Sequence, residues 1–315
     1  MAWLAHGVVF GAALIFCTAL TLAVGPTRPL GLDLYVPVPD NNPQTAEKIV
    51  LGRRLFHDAR LSRTGRISCA SCHDPDRSFS SAQPLARGVF GRRTTRNAPA
   101  LINRAWGRAF FWDGRIQTLE AQVLEPIINP SEMDLTLAEA STRVGLGTEQ
   151  ISQALASYVR SIMAGDSPYD RFLNGSRAAL SRDQQLGLQL FRGKGNCTSC
   201  LVGPNLTDER LHNTGVAWRE GRLQDGGAFA ITGNELHRGA FKTPTLRQVA
   251  RTAPYMHDGS LPTLEAVVEF YSGGGRANPY LDSEIGVLHF TTAEKRALVA
   301  LLQSLTGIVL EGVGP

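Results

Sequence analysis

Two Cys-x-x-Cys pairs constrain this chain more than any other feature, and they are not equivalent. The first, Cys69-Ala-Ser-Cys72, is followed by His73, whereas the second, Cys197-Thr-Ser-Cys200, is followed by Leu201. Cys-x-x-Cys-His is the attachment signal of a c-type haem: two thiols bond the porphyrin vinyl groups and the adjacent imidazole binds the iron. A chain wrapped on a covalently held porphyrin takes much of its core from the cofactor, so long loops are expected around it. The sequence points to two haem sites, the second of which has lost its usual iron ligand.

Other uses of the cysteines fit less well. Zinc can be bound by four cysteines in two pairs, but zinc ribbons place their pairs about 15–20 residues apart, and here more than a hundred residues intervene. A thioredoxin-like redox pair expects a βαβ pattern nearby, and none is visible. Apart from Cys17, every cysteine belongs to one of the two pairs, leaving none for a structural disulfide.

The 315 residues suffice for two domains, and 43% hydrophobic with 19% charged residues fits a globular chain. A net charge of +4 with no clustered Lys and Arg argues against a nucleic-acid partner. Residues Gly7 to Val24 are apolar and uncharged, and Gly25-Pro26 ends the run. Residues 1–25 therefore read as a secretory signal, with a plausible cut after Ala23, or as an N-terminal anchor. Either reading places the protein in the periplasm, with membrane attachment only if the segment is retained.

A faint internal repeat supports two related halves. Leu51-Gly-Arg-Arg-Leu-Phe56 precedes the first Cys pair, and Leu186-Gly-Leu-Gln-Leu-Phe191 precedes the second. Apolar periodicity predicts helices over Thr45 to Phe56 and Glu149 to Met163, and a last one over Thr292 to Leu305 that stops at Gly307. Ser181-Arg-Asp-Gln184 is a capping-box pattern before the second repeat helix. Strand-like alternation is scarce. The expected fold is mainly α: two cytochrome c-like haem domains with long loops, at residues 40–165 and 178–310, divided near Gly165 to Ser181 where Ser167-Pro168 and Asn174-Gly175 mark turns.

Several stretches carry a resemblance to a known family. They are Ser68-Cys-Ala-Ser-Cys-His-Asp-Pro75, Arg96-Asn-Ala-Pro-Ala-Leu101, Phe111-Trp-Asp-Gly-Arg115, Asn129-Pro-Ser-Glu-Met133, Phe241-Lys-Thr-Pro-Thr-Leu-Arg247 and Thr252-Ala-Pro-Tyr-Met-His-Asp-Gly259. With these the chain resembles the bacterial dihaem cytochrome c peroxidases, within them the branch of the enzyme that matures tryptophan tryptophylquinone. The resemblance implies haem c at Cys69, Cys72 and His73, where His73 is the proximal ligand of a peroxidatic iron. It implies a distal carboxylate, Glu132, for moving a proton between the peroxide oxygens. It further implies a distal glutamine, Gln122, for orienting the peroxide, with Pro126 in the same region. Trp112 would carry electrons between the haems. Asn97, with the backbone carbonyls of Thr252 and Pro254, would hold Ca²⁺, a cation that favours oxygen ligands. Read without the resemblance, Glu132 is a carboxylate at a helix N-terminus, Gln122 a solvated helix residue, Trp112 a core aromatic and Asn97 a turn residue. No histidine lies between His73 and Trp112, so the histidine that caps the peroxidatic iron in peroxidases needing reductive activation is absent, which implies an open iron.

At the second pair the chain departs from the family. Cys197 and Cys200 are in place, but Leu201 cannot bind iron. Tyr271 stands where the tryptophylquinone branch has its tyrosine ligand; Met256 and His257 are nearby but off that spacing. Three outcomes stay open: haem held with Tyr271 as its one strong protein ligand, another residue such as His212 replacing the lost histidine, or an empty site. The implied activity is reduction of hydrogen peroxide to water with electrons from a small donor protein, a cytochrome c or copper protein. The alternatives are a tryptophylquinone-type maturase that oxidises residues of a partner protein, or a non-enzymatic dihaem electron carrier or peroxide sensor.

Overall fold

The structure is a computed structural model that describes Met1 and residues 28–314. The signal or anchor read at residues 1–25 lies almost wholly outside the described residues. Among the described residues no helix is long and apolar enough to cross a membrane.

Helices dominate. In chain order they are α1 (Ala46–Phe56), α2 (Leu119–Gln122), α3 (Glu125–Ile128), α4 (Leu137–Val144), α5 (Thr148–Arg160), α6 (Pro168–Leu173), α7 (Arg182–Arg192), α8 (Phe229–Thr232), α9 (Leu264–Ser272) and α10 (Thr292–Gln303). Strands are two or three residues long and form three antiparallel pairs, among them Met163–Gly165 with Ile308–Leu310 and Leu211–His212 with Phe241–Lys242. The expectation of a mainly α fold with little strand holds.

The helix starts follow local chemistry. Thr45 caps α1, and capping boxes open α4 at Thr136 and Glu139, α7 at Ser181 and Gln184, and α10 at Thr291 and Glu294. The helix expected to reach Met163 ends at Arg160. Ser161 turns its hydroxyl back to the Tyr158 carbonyl at 2.7 Å, and Met163 to Gly165 leave the helix to pair with the C-terminal strand. Ser167-Pro168, expected as a turn, is instead the N-cap and first residue of α6.

The repeat seen in the sequence reappears as two similar helix crossings. α1 packs on α5, and α7 packs on α10. At each crossing the repeat glycine touches the partner backbone: a Cβ on Gly52 would lie 2.0 Å from the Ala154 carbonyl oxygen, and one on Gly187 would lie 2.1 Å from that of Ala297. Any side chain there would drive the helices apart. Each crossing has its own apolar core. One gathers Phe56, Phe79, Leu155 and Tyr158; the other gathers Leu188, Phe191, Leu298 and Leu301. Phe56 meets Tyr158 edge-on at 5.2 Å and Phe79 at 5.9 Å. Burying each such ring is worth about 1.5–3 kcal/mol, so the α1–α5 pair is a firm base for the loop that follows it.

Candidate functional site

The first Cys pair sits on a single tight turn, Cys69–Ser71, closed by Ser68 N–H donating to Ser71 Oγ at 3.0 Å. The amides of Cys72 and His73 both donate to the Cys69 carbonyl, at 3.1 and 2.9 Å. This puts both thiols and the imidazole on one short arc. His73 Nδ1 lies 3.2 Å from the Phe79 carbonyl oxygen. A carbonyl can only accept, so Nδ1 carries the proton and Nε2 keeps its lone pair for a metal. Burial lowers the imidazole to about 4, so it is neutral at physiological pH. Burial likewise pushes the Cys69 thiol up to about 12 and that of Cys72 up to about 11, in both cases with help from the nearby Glu132 charge. Neither thiol is in a disulfide. Two free thiols and a neutral imidazole with its far nitrogen available fit a covalently attached haem.

Glu132 is therefore within electrostatic reach of the first Cys pair, though about sixty residues away in sequence. It does not open a helix. It sits in the turn between α3 and α4, fixed by Met133 N–H to the Pro126 carbonyl at 3.2 Å and Leu135 N–H to that of Ile127 at 2.9 Å. Asn129 Nδ2 donates to Glu132 Oε1 at 2.7 Å, while Asn129 Oδ1 accepts from Ser131 N–H at 2.9 Å. Burial raises the Glu132 carboxyl above its ordinary value, opposed by the Asn129 hydrogen bond and the Arg115 charge. The loop at Gly88 to Arg92 clamps this turn. Val89 N–H donates to the Glu132 carbonyl at 2.8 Å and Arg92 Nη1 to that of Pro130 at 2.8 Å. Gly88 must be glycine here, because a Cβ would lie 2.2 Å from the Ser131 oxygen and 2.4 Å from that of Glu132. Gln122 ends α2, is half-buried and makes no side-chain hydrogen bond among the described residues. It shares the α2–α3 scaffold with Glu132 but is not bonded to it.

Trp112 and Asn97 lie together. The Trp112 indole N–H donates to the Asn97 carbonyl at 2.8 Å, and the ring meets His257 edge-on at 6.5 Å. Lys242 N–H donates to the Trp112 carbonyl at 2.7 Å, joining it to the strand beside His212. Asn97 N–H donates to the His257 carbonyl at 2.7 Å, which brings Asn97 alongside the Thr252 to His257 stretch. Its side-chain amide reaches the Gln83 and Pro84 carbonyls, both at 3.1 Å. Among the described residues the carbonyls of Thr252 and Pro254 accept no hydrogen bond.

The second pair repeats the first turn. Cys200 and Leu201 amides donate to the Cys197 carbonyl at 3.4 and 3.0 Å. Leu201 leaves the backbone where His73 does and packs against the second apolar core. Burial pushes the Tyr271 phenol up to about 12, and Cys200 and Cys197 are both near enough to add to the shift. His212 does not offer a free nitrogen: Nδ1 lies 2.6 Å from Asp282 Oδ2 and Nε2 lies 2.9 Å from Asp208 Oδ2. Cys200 and these two carboxylates hold its imidazolium up to about 10. His257 stacks on Phe241 at 3.7 Å. The two Cys pairs do not meet in one cluster: among the described residues the one group of three such donors that could hold a metal is Cys200, Asp208 and His212. A four-cysteine zinc site is not assembled. Sequence reasoning passed over Asn129, Arg115 and the Gly88 to Arg92 clamp; the first two stood inside the motifs, but their targets are visible only in three dimensions.

A helix-rich chain with two Cys-x-x-Cys turns, one followed directly by a buried histidine, fits the class of c-type haem proteins. The chain belongs to the family of di-haem cytochrome c peroxidases and their MauG relatives. The family model for di-haem cytochrome c peroxidase matches residues 46–149. The methylamine utilization protein MauG of Methylorubrum extorquens is 38% identical over 86% of this chain and 81% of its own. The cytochrome c551 peroxidase of Nitrosomonas europaea is 34% identical over 86% and 83%. Among solved structures, a MauG-like protein associated with microbial copper homeostasis is similar with a TM-score of 0.79 and 33% identity, over 88% of this chain and 95% of that one.

Proposed function

We propose that this protein is a periplasmic haem c peroxidase that reduces hydrogen peroxide to water with electrons from a small redox protein. The observation that carries the reading is a half-buried carboxyl, Glu132, hydrogen-bonded by Asn129 and close enough for its charge to act on Cys69 and Cys72 of the haem-attachment turn. Cys69 and Cys72 would hold the haem and His73 Nε2 its iron. Bound there, the haem supplies the electrons and the iron that peroxide needs. The protein's own contribution is proton transfer and orientation. Ionised Glu132 would take a proton from one peroxide oxygen and return it to the other, which would depart as water as the O–O bond breaks with electrons that the haem would supply. Burial brings the carboxyl closer to working pH, where it can do both. Gln122 orients the peroxide by hydrogen bonds. Residues 40–165 and 178–310 serve as the peroxidatic and electron-transfer domains, with Trp112 between them. Asn97 Oδ1 and the free carbonyls of Thr252 and Pro254 are oxygen donors suited to Ca²⁺.

Two expected results test this. Holoprotein carrying haem at Cys69 and Cys72 turns over peroxide with a reduced small cytochrome c or copper protein as donor; absence of turnover with either rejects the reading. Asn129→Leu removes the hydrogen bond that stabilises the Glu132 carboxylate. The folded-state value of Glu132 then rises further, so the acid limb of kcat/KM moves to higher pH. An unmoved limb would show that another group sets it.

Tyr271 beside the second Cys pair supports a second reading, a maturase that oxidises residues of a partner protein. A methylamine dehydrogenase gene next to this one, and oxidation of that partner's tryptophans by the holoprotein, would favour it.

A further inference from the structure

We propose that the second Cys pair of this chain belongs to a divalent-metal site rather than a haem site, with Cys200, Asp208 and His212 as the ligands of a zinc ion. The proposal goes beyond the peroxide chemistry read at the His73 turn and is tested apart from it.

The residues of the second turn do not fit a c-type haem. Haem attachment reads Cys-x-x-Cys-His, whose histidine supplies the iron ligand. Leu201 N–H donates to the Cys197 carbonyl at 3.0 Å, as His73 N–H does to that of Cys69 at 2.9 Å, so position 201 is the one where an imidazole is needed. Its side chain brings only methyl groups, packed on the second apolar core. What the turn does face is a set of metal donors. Cys200 Sγ, an Asp208 carboxylate oxygen and a His212 ring nitrogen all lie within 4.8 Å of one another. Tetrahedral zinc with bonds of about 2.0–2.3 Å sets such donors about 3.4–3.6 Å apart, so the site closes by about an ångström on binding. Among the described residues the first Cys pair has no such cluster.

Distant segments hold the donors in place. Asp208 N–H donates to the Cys200 carbonyl at 2.8 Å, closing the loop between two of the ligands. His212 lies on the short strand paired with Phe241–Lys242. Its Nε2 is 2.9 Å from Asp208 Oδ2, and its Nδ1 is 2.6 Å from Asp282 Oδ2 and 3.8 Å from Cys200 Sγ. An ion on Nε2 replaces the Asp208 hydrogen bond with a shared metal, while Nδ1–H stays on Asp282, the carboxylate–histidine arrangement that orients zinc-bound imidazoles. The charge also fits. The Asp208 and Asp282 carboxylates are only 11% and 22% exposed, and among the described residues neither pairs with a lysine or arginine. One imidazole faces two carboxylates and a thiol, a cluster short of positive charge. Thiolate, imidazole and carboxylate together suit zinc, a borderline-soft ion that takes sulfur, nitrogen and oxygen donors, and water completes its four-coordination.

The test uses holoprotein made in a periplasm with haem-attachment machinery, cleared of transition metals and titrated with Zn²⁺. Covalent haem is counted by intact mass, bound zinc by elemental analysis after dialysis, and alkylation of Cys200 by peptide mass. The expected result is one haem and one zinc per chain, with zinc slowing the alkylation. His212→Ala and Asp208→Ala lose the zinc and keep the haem. Asp282→Asn removes a charge but keeps an acceptor for Nδ1–H, and it lowers zinc affinity about 10–100-fold, the usual cost of altering an outer-shell partner. Leu201→His completes the attachment signal, so that variant gains a second haem and, with Cys200 now a thioether, loses the zinc. Two haems in the unaltered chain, one haem with no zinc, or a His212→Ala protein that keeps its zinc overturns the proposal. So does a Leu201→His protein that carries two haems and still binds zinc. Peroxide turnover is measured separately on the same preparations and stands or falls with the His73 haem.

Discussion

Glu132→Gln lowers peroxide turnover by about 10²–10⁴-fold, the usual worth of a positioned general acid–base, while covalent haem per chain is unchanged. The substitution keeps the shape and an oxygen for Asn129 Nδ2 to reach, now at 2.7 Å. It keeps the Val89 clamp as well, because that hydrogen bond ends on the Glu132 backbone. What it removes is the ability to take up and return a proton. The loss should fall on kcat and kcat/KM together, since the interaction is made as the peroxide bond breaks. The pH profile separates this role from a structural one: the acid limb assigned to Glu132 disappears in the variant instead of shifting. Full turnover with an intact limb would mean that the proton travels by another route.

The parts of this protein legible in its sequence are those written in local chemistry. Thr45, Ser181 and the residues after them spelled out α1 and α7, and the repeat glycines Gly52 and Gly187 stood inside the matching segments. The haem-attachment turn at Cys69 to His73 was readable because Cys69, Cys72 and His73 fall within five consecutive residues. Readings failed where distant segments decide. Nothing local says that Met163 abandons a helix to pair with Leu310; Ser167-Pro168, by contrast, was misread although a local Ser167–Asp170 capping box opens α6. Without the resemblance, Glu132 read as a helix-terminal carboxylate; what makes it a candidate acid–base is its half-buried carboxyl acting electrostatically on Cys72 and its clamp from the Gly88 to Arg92 loop, neither of which has a sequence period. The same holds for His212. A lone histidine after a broken haem motif invites assignment as a substitute ligand, and only its two carboxylate partners argue otherwise.

Asp170→Ala is expected to cost about 3–5 kcal/mol of folding stability, the range for removing one partner of a buried ion pair. Arg247 and Asp170 have side chains only 2% and 1% exposed, so water cannot take over the solvation of the charge left behind. The pair also joins three distant segments. Arg247 donates to the Pro204 carbonyl from Nε at 2.8 Å and to the Gly31 carbonyl from Nη2 at 2.7 Å. Asp170 Oδ2 accepts from both the amide and the hydroxyl of Ser167, at 2.9 and 2.7 Å, which starts α6. Pro204 lies in the loop just after the second Cys pair, so the variant should loosen that loop before it affects the His73 site. Chemical denaturation followed by far-UV circular dichroism and by the Soret band measures both effects. The unfolding midpoint should fall sharply by both probes. Breaking the exposed Lys295–Glu269 pair, whose side chains are 27% and 67% exposed, should leave the midpoint where it was, because solvent screens such a pair. Equal midpoints for the two variants would show that the buried pair is replaceable, and that the N-terminal segment at Gly31 is held by other contacts.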